Sequence, residues 1–243
     1  MSRAPAALAP AVALLGAIAL SGCQSTQAKS AAIGRTVKRL THEQGLTIAR
    51  TNAAVAVGRR TVIQDRNGAA AVVELHNAGP IAQAAVPVQV TVRDARGRAI
   101  YANTAPGLEA SLVGVSALAR GQRLFWVDNQ IALSGRAGRL DVRVGAARAA
   151  SPASVPQIDV SGLRAGRDSD GAFAKALVRN RSAVAQRGLT VYCIGRRAGR
   201  IVAAGRATVP SLAARGRASV TIFFIGDPAG AALTAAAPAT VLR

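Results

Sequence analysis

Nucleophilic, acid–base and metal chemistry would all have to come from a short roster: two cysteines, Cys23 and Cys193, two histidines, His42 and His76, and 11 acidic residues in a chain of 243. Two histidines without a usable cysteine pair argue against zinc, which wants Cys and His ligands at set spacings. His76 follows Val73 and Leu75 on a strand pattern and points outward or caps the strand end. Cys193 lies inside an apolar run and reads as a buried free thiol. A reactive thiol would need a basic neighbour and access. Asp168-Ser169-Asp170-Gly171 could open a calcium loop, but the twelfth position, where such a loop needs glutamate, is Arg179. A turn leading into a strand is the better reading, and Asp65 and Asp94 sit in similar turns. No Gly-x-Ser-x-Gly elbow or phosphate-cradling glycine loop occurs. The expectation is a noncatalytic protein with no catalytic residue, metal or cofactor.

Cys23 gains its chemistry from position. Arg3 supplies one positive charge, Ala6 to Leu20 an apolar region, and Ser21-Gly22 the small residues that a signal peptidase needs. Fifteen apolar residues interrupted by Pro10 and Gly16 fall short of the roughly 20 that cross a bilayer. Leu20-Ser21-Gly22-Cys23 resembles the lipobox of bacterial lipoproteins. The resemblance implies a signal peptide over 1–22, cleavage between Gly22 and Cys23, and a diacylglycerol on the Cys23 sulfur. It implies an extracytoplasmic protein held on a membrane of the cell envelope. Gln24 is not the aspartate associated with inner-membrane retention in some two-membrane bacteria, so the outer membrane stays open as a destination. With Cys23 acylated, Cys193 has no disulfide partner in the chain.

The formal net charge is +20, almost all from arginine, since lysine appears only at 29, 38 and 175. That balance favours anionic surfaces: phospholipid headgroups, envelope polymers or acidic partners. Abundant alanine, glycine and arginine are also what a GC-rich coding sequence produces without any ligand. The basic residues are scattered, and the seven aromatics are dispersed. Nucleic-acid binding, which needs basic blocks or clustered stacking platforms, is disfavoured.

These residues must be positioned by strands. Residues 23–45 read as the lipidated N-terminus and a polar tether; 36–60 are ambiguous, with Leu46, Ile48, Val55 and Val57 suited to a strand or a short helix. Thr61–Gln64 and Ala70–His76 flank Asp65-Arg66-Asn67-Gly68, a hairpin signal. Val86, Val88, Val90 and Val92 alternate with polar residues, the period of a strand with one buried face. Further strands are expected at 123–127, 140–144, 172–178, 189–194, 200–204 and 219–225. Ser151 to Pro156 has linker composition. The expected organisation is a first β-sandwich over 46–149, a linker over 150–157 and a second sandwich over 158–243.

The halves echo each other. Leu75-His76-Asn77 and Val178-Arg179-Asn180 each precede an apolar strand, a glycine turn (Gly97, Gly199) and a leucine-to-glycine corner (Leu118–Gly121, Leu212–Gly216). The glycine spacing differs, 24 against 17, so the repeat is loose. Asn180, Leu189–Tyr192, the glycine turn, Gly205–Val209 and the Leu212–Gly216 corner resemble, in order, the small immunoglobulin-like FxLyD and CARDB modules of bacterial envelope proteins. Residues 158–227 match best and 70–130 loosely. The first unit is also similar to small β-sandwich lipoproteins of the YcfL type. The chain departs from the pattern at Tyr192-Cys193-Ile194, where an aromatic-x-aspartate turn is expected. The resemblance implies an all-β fold of two tandem immunoglobulin-like sandwiches. It also implies a noncatalytic role as an interaction or scaffold module for an envelope protein partner. The alternative is a ligand-binding accessory lipoprotein for envelope transport or assembly, marked by an apolar pocket between the sandwiches. The candidate contact surface is aromatic: Trp126, which anchors a partner if exposed but is better read as filling the core, and Phe223, whose strand neighbour Phe224 must face the other way.

Overall fold

A computed structural model describes residues 45–242. The signal sequence, the Gly22–Cys23 cleavage and lipidation site, His42 and the tether up to residue 44 lie outside the described residues.

The hairpin signal forms β1 (Val55–Asp65) and β2 (Gly68–Asn77). Asp65 Oδ1 accepts the Asn67 amide at 2.7 Å, and Gly68 closes the turn at φ 135°, a conformation that a β-carbon opposes. In β3 (Gln83–Arg93) the four alternating valines are all buried. The first half continues through β4 (Ala99–Ala102), a helical turn α1 (Ala110–Val113), β5 (Gly114–Leu118), β6 (Arg123–Ile131) and β7 (Arg139–Val144). The second half holds β8 (Ile158–Asp168), β9 (Gly171–Asn180), β10 (Gln186–Arg197), β11 (Arg200–Leu212), β12 (Arg217–Gly226) and β13 (Ala232–Ala236). All strand pairs are antiparallel. Sheet β1-β2-β6 faces a sheet in which β3 pairs with β4, β5 and β7; in the second half, β8-β9-β12 faces β11-β10-β13, with a short β11–β12 pairing over Ala203–Gly205. The chain is all-β and sandwich-like.

The echo between halves is structural. Val55, Asp65, Gly68, Asn77 and Gln83 have counterparts 103 residues on, at Ile158, Asp168, Gly171, Asn180 and Gln186, each at the same end of a matching strand. The β1–β2 register slips between Val57 and Arg60, and the β8–β9 register slips between Ser161 and Arg164. Both asparagines are fully buried and serve as corner pins. Asn77 Nδ2 donates to the carbonyls of Ile81, Leu118 and Ala119 at 2.9–3.1 Å, while its Oδ1 accepts the Gly79 amide. Asn180 Nδ2 donates to the Val184 and Ala213 carbonyls, and its Oδ1 accepts from the Ser182 amide and hydroxyl. The Ala119 and Ala213 carbonyls also accept the Gln122 and Gly216 amides, so each buried side-chain amide adds donors to the corner's own backbone bonds and ties it to the neighbouring loop. The halves diverge where the glycine spacing does: β11 runs unbroken for 13 residues, whereas its first-half counterpart is split into β4, α1 and β5.

Two strands are buried on both faces. Ala69 to Val73 of β2 are all at 0% exposure. In β10, Leu189, Val191 and Cys193 pack into the second-half core, while Tyr192 and Ile194 join the first-half core with Ala204 and Ile225. Two-sided burial explains why these segments read as continuous apolar runs rather than as alternation. Sheet β11-β10-β13 therefore lies on the outer face of β1-β2-β6, and the four sheets stack in one compact unit. Across the seam, the Gly226 amide donates to Asp65 Oδ2 at 2.9 Å, Arg59 donates to the Gly199 carbonyl at 2.6 Å, and Arg196 lies 4.6 Å from the centre of the Phe125 ring.

Candidate functional site

Beside the shared core, the stacking leaves an open groove of about 600 Å³. One wall is Val86-Pro87 of β3 with Val113, the last residue of α1, and Gly114 to Ser116 of β5; the other is Thr190 and Tyr192 of β10, Thr208 of β11, and Pro238 and Leu242 near the C-terminus. Three consecutive β5 residues lining one wall mean that the strand offers the groove its edge, because alternate side chains point to opposite faces. Among the described residues β5 pairs only with β3. Its other edge carries backbone donors and acceptors without a ladder.

A polar cluster closes one end. Among the described residues Asp128 and Arg206 are the only buried charged side chains, and they approach the seam from opposite halves. Arg206 donates to Glu109 Oε2 at 3.0 Å and to the Ser111 hydroxyl, leaving its Nε without a partner. The Ser111 carbonyl accepts the Trp126 indole at 2.9 Å and the Tyr192 hydroxyl at 3.4 Å, so the helical turn α1 is tied to both halves. Asp128 accepts the Tyr101 hydroxyl at 2.6 Å and the Gln130 amide at 3.0 Å. Burial raises the Asp128 carboxyl above its usual range, against the opposing pull of the Tyr101 hydrogen bond, the Gln130 amide and the Arg206 charge. Burial also pushes the Tyr101 and Tyr192 phenols up, which keeps both as neutral donors. Ser111 faces the Arg206 guanidinium, a donor-only group with no lone pair to accept its proton. The cluster holds geometry and offers hydrogen bonds rather than a nucleophile and base.

The chain matches no family model and no curated protein.

The residues singled out from sequence lie mostly elsewhere. Trp126 is fully buried, in line with the core reading, which corrects its candidacy as a contact surface: its indole packs in the first-half core and donates to the Ser111 carbonyl. Phe223 is 41% exposed and Phe224 buried. His76 sits on β2 opposite Arg123, away from the groove. Asp168 accepts the Asp170 and Gly171 amides at the β8–β9 hairpin. Cys193 is buried and free, its thiol pushed up to about 12 by desolvation. The groove, Glu109, Ser111, Asp128 and Arg206 carry no short-range motif. The one signal for them was the longer glycine spacing of the first half, the stretch that contains α1.

Proposed function

We propose that this chain is a noncatalytic, lipid-anchored protein of the cell envelope, attached through Cys23, and that the groove between its two immunoglobulin-like sandwiches binds an extended segment of an envelope protein partner. The observation that carries this reading is the free edge of β5 along an apolar groove. Main-chain bonding to an open strand edge, with apolar pockets for alternate side chains, is how a peptide adds to a sheet. The buried polar cluster at one end supports it by offering a fixed point for register. A second reading, an accessory protein for a small apolar ligand, is favoured by the groove volume, which falls within the roughly 300–1,000 Å³ of ligand sites.

One experiment addresses both readings. Thr208→Trp places an indole in the groove from an exposed position on β11. Crosslinking in the native envelope followed by capture should recover a partner with wild-type protein and lose it with T208W. Identical capture by both would overturn the groove as the partner site. A thermal upshift of the wild type, absent in T208W, on adding lipid extract without protein would favour the small-ligand reading.

A further inference from the structure

The outer face of sheet β8-β9-β12 is a second surface with its own chemistry. Alternation sends Ala174, Ala176 and Val178 inward and leaves Phe173, Lys175, Leu177 and Arg179 outward; on β12, Phe223 stands beside Phe173, and Arg217 beside Arg179. The two phenyl rings meet edge to face at 6.2 Å, and Lys175 lies 5.8 Å from the centre of the Phe173 ring. Among the described residues three large apolar side chains are exposed, and two of them, Leu177 and Phe223, share this face. Arg164 of β8 joins in register with Lys175. The carboxylates on the face lie at its two ends: Asp159, opposite Arg179 and bonded to Arg181, and Asp168, opposite Gly171 in the hairpin. In the first half the equivalent residues Ala70 and Val72 are covered by the second half. The opposite outer face, with Gln89, Thr91, Arg93, Asp141 and Arg143, has no exposed large apolar side chain.

We propose that this face docks flat on an anionic lipid bilayer, with Phe223, Leu177 and the Phe173 edge entering the headgroup layer while Arg164, Lys175, Arg179 and Arg217 meet lipid phosphates. Charge complementarity selects this occupant. A small apolar patch ringed by cations is too basic to seat on a neutral surface and too apolar to remain idle in water, and long basic side chains lie along apolar surface while their heads reach phosphate. The inference builds on the lipid anchor proposed above, which brings the sheet to a membrane. The 22 residue-to-residue steps from Cys23 to Gly45 span at most about 75 Å. Four sheets at about 10 Å spacing are thinner than that, so the anchor permits the contact.

Because Trp126 is buried, a new tryptophan reports its own surroundings. The full lipidated chain carrying Phe223→Trp, and a control carrying Ile81→Trp at an exposed first-half site, are reconstituted with vesicles of phosphatidylcholine alone or with added phosphatidylglycerol, each containing brominated acyl chains. F223W should be quenched and blue-shifted with phosphatidylglycerol and released by high salt, while I81W should not respond. Lys175→Glu with Arg217→Glu should weaken the response about tenfold or more. Absence of F223W quenching in anionic vesicles that carry the chain would overturn docking, as would equal quenching of I81W. A blue shift of F223W in buffer alone that grows with protein concentration would overturn it in favour of a second copy. The anchor is read separately, by flotation with neutral vesicles: loss of flotation in Cys23→Ala supports it, and unchanged flotation would reject the anchor while leaving the quenching result to judge the face.

Discussion

Asn77→Ala should be among the most destabilising single changes in the chain. The side chain is fully buried and makes three donor contacts to carbonyls and one acceptor contact. Alanine removes the side-chain donor from the buried Leu118 carbonyl and the partly buried Ile81 carbonyl, while the Ala119 carbonyl keeps the Gln122 amide at 3.1 Å. A buried unsatisfied polar group costs about 1–3 kcal/mol. Allowing for water at the partly buried Ile81 carbonyl, the expected loss is about 3–5 kcal/mol, a large share of the roughly 5–15 kcal/mol that holds a typical folded protein. Asn77→Asp keeps the acceptor for Gly79 but turns an oxygen toward the three carbonyls, and should cost at least as much. Asn180→Ala should cost less, about 1–3 kcal/mol, because the Val184 carbonyl keeps the Ser182 hydroxyl and Gln186 Nε2, and the Ala213 carbonyl keeps the Gly216 amide. The assay is urea unfolding at equilibrium, followed by Trp126 fluorescence for the first-half core and by far-ultraviolet circular dichroism for both halves. Since Tyr192, Ile194, Ala204 and Ile225 belong to the first-half core, both probes should report one transition that either substitution moves. A cost below about 1 kcal/mol for N77A would refute the corner-pin argument. A separate transition, moved only by N180A, would refute the shared core.

Asp128 has a carboxyl raised by burial, so its favourable contribution is complete below the unfolded value near 3.8 and declines as pH rises through the raised folded value. Asp128→Asn, which still accepts from Tyr101, should gain on the wild type with rising pH by about 1.4 kcal/mol for each pH unit that separates the folded carboxyl from the unfolded one, measured as the difference in urea midpoints between pH 4 and pH 8. An invariant difference would reject the linkage. Glu109→Ala should destabilise by about 1–2 kcal/mol by leaving the Arg206 charge buried with fewer partners, whereas Arg206→Met, which removes that charge, should be neutral or stabilising; thermal melts showing the reverse order would count against the reasoning. Cys193 should resist alkylation at pH 8 in the folded protein and react on unfolding, and equal rates in both states by mass spectrometry would contradict its burial.

The sequence exposed some features and hid others for physical reasons. Turns with obligatory backbone geometry were legible, because Asp65-Arg66-Asn67-Gly68 admits few conformations and the alternating valines of β3 admit one buried face. Ala99-Ile100-Tyr101 reads as the return strand after the Asp94–Gly97 turn and is β4; segment 103–118 was not legible, because α1 is four residues long and is held by Trp126, Tyr192 and Arg206 from distant strands rather than by local propensity. β8, with intermediate or exposed residues throughout, lacks a buried face to announce it. Burial of β2 and β10 on two sides was written in their unbroken apolar runs, but a run of that kind does not name the partner sheet. Arg206 looked like one arginine among many; only the fold separates it from the solvated ones.

The order of the four sheets has a consequence for assembly. The halves meet through unlike surfaces, the β1-β2-β6 face of one against the β11-β10-β13 face of the other. Joining like units head to tail does not close on itself, and each end can in principle accept another unit. The two terminal faces of this stack are both predominantly cationic: Arg93, Arg139 and Arg143 on one, Arg164, Lys175, Arg179 and Arg217 on the other. Like charge across a would-be third joint disfavours propagation. The arginine excess at both ends of the stack thus disfavours end-to-end addition of a further copy.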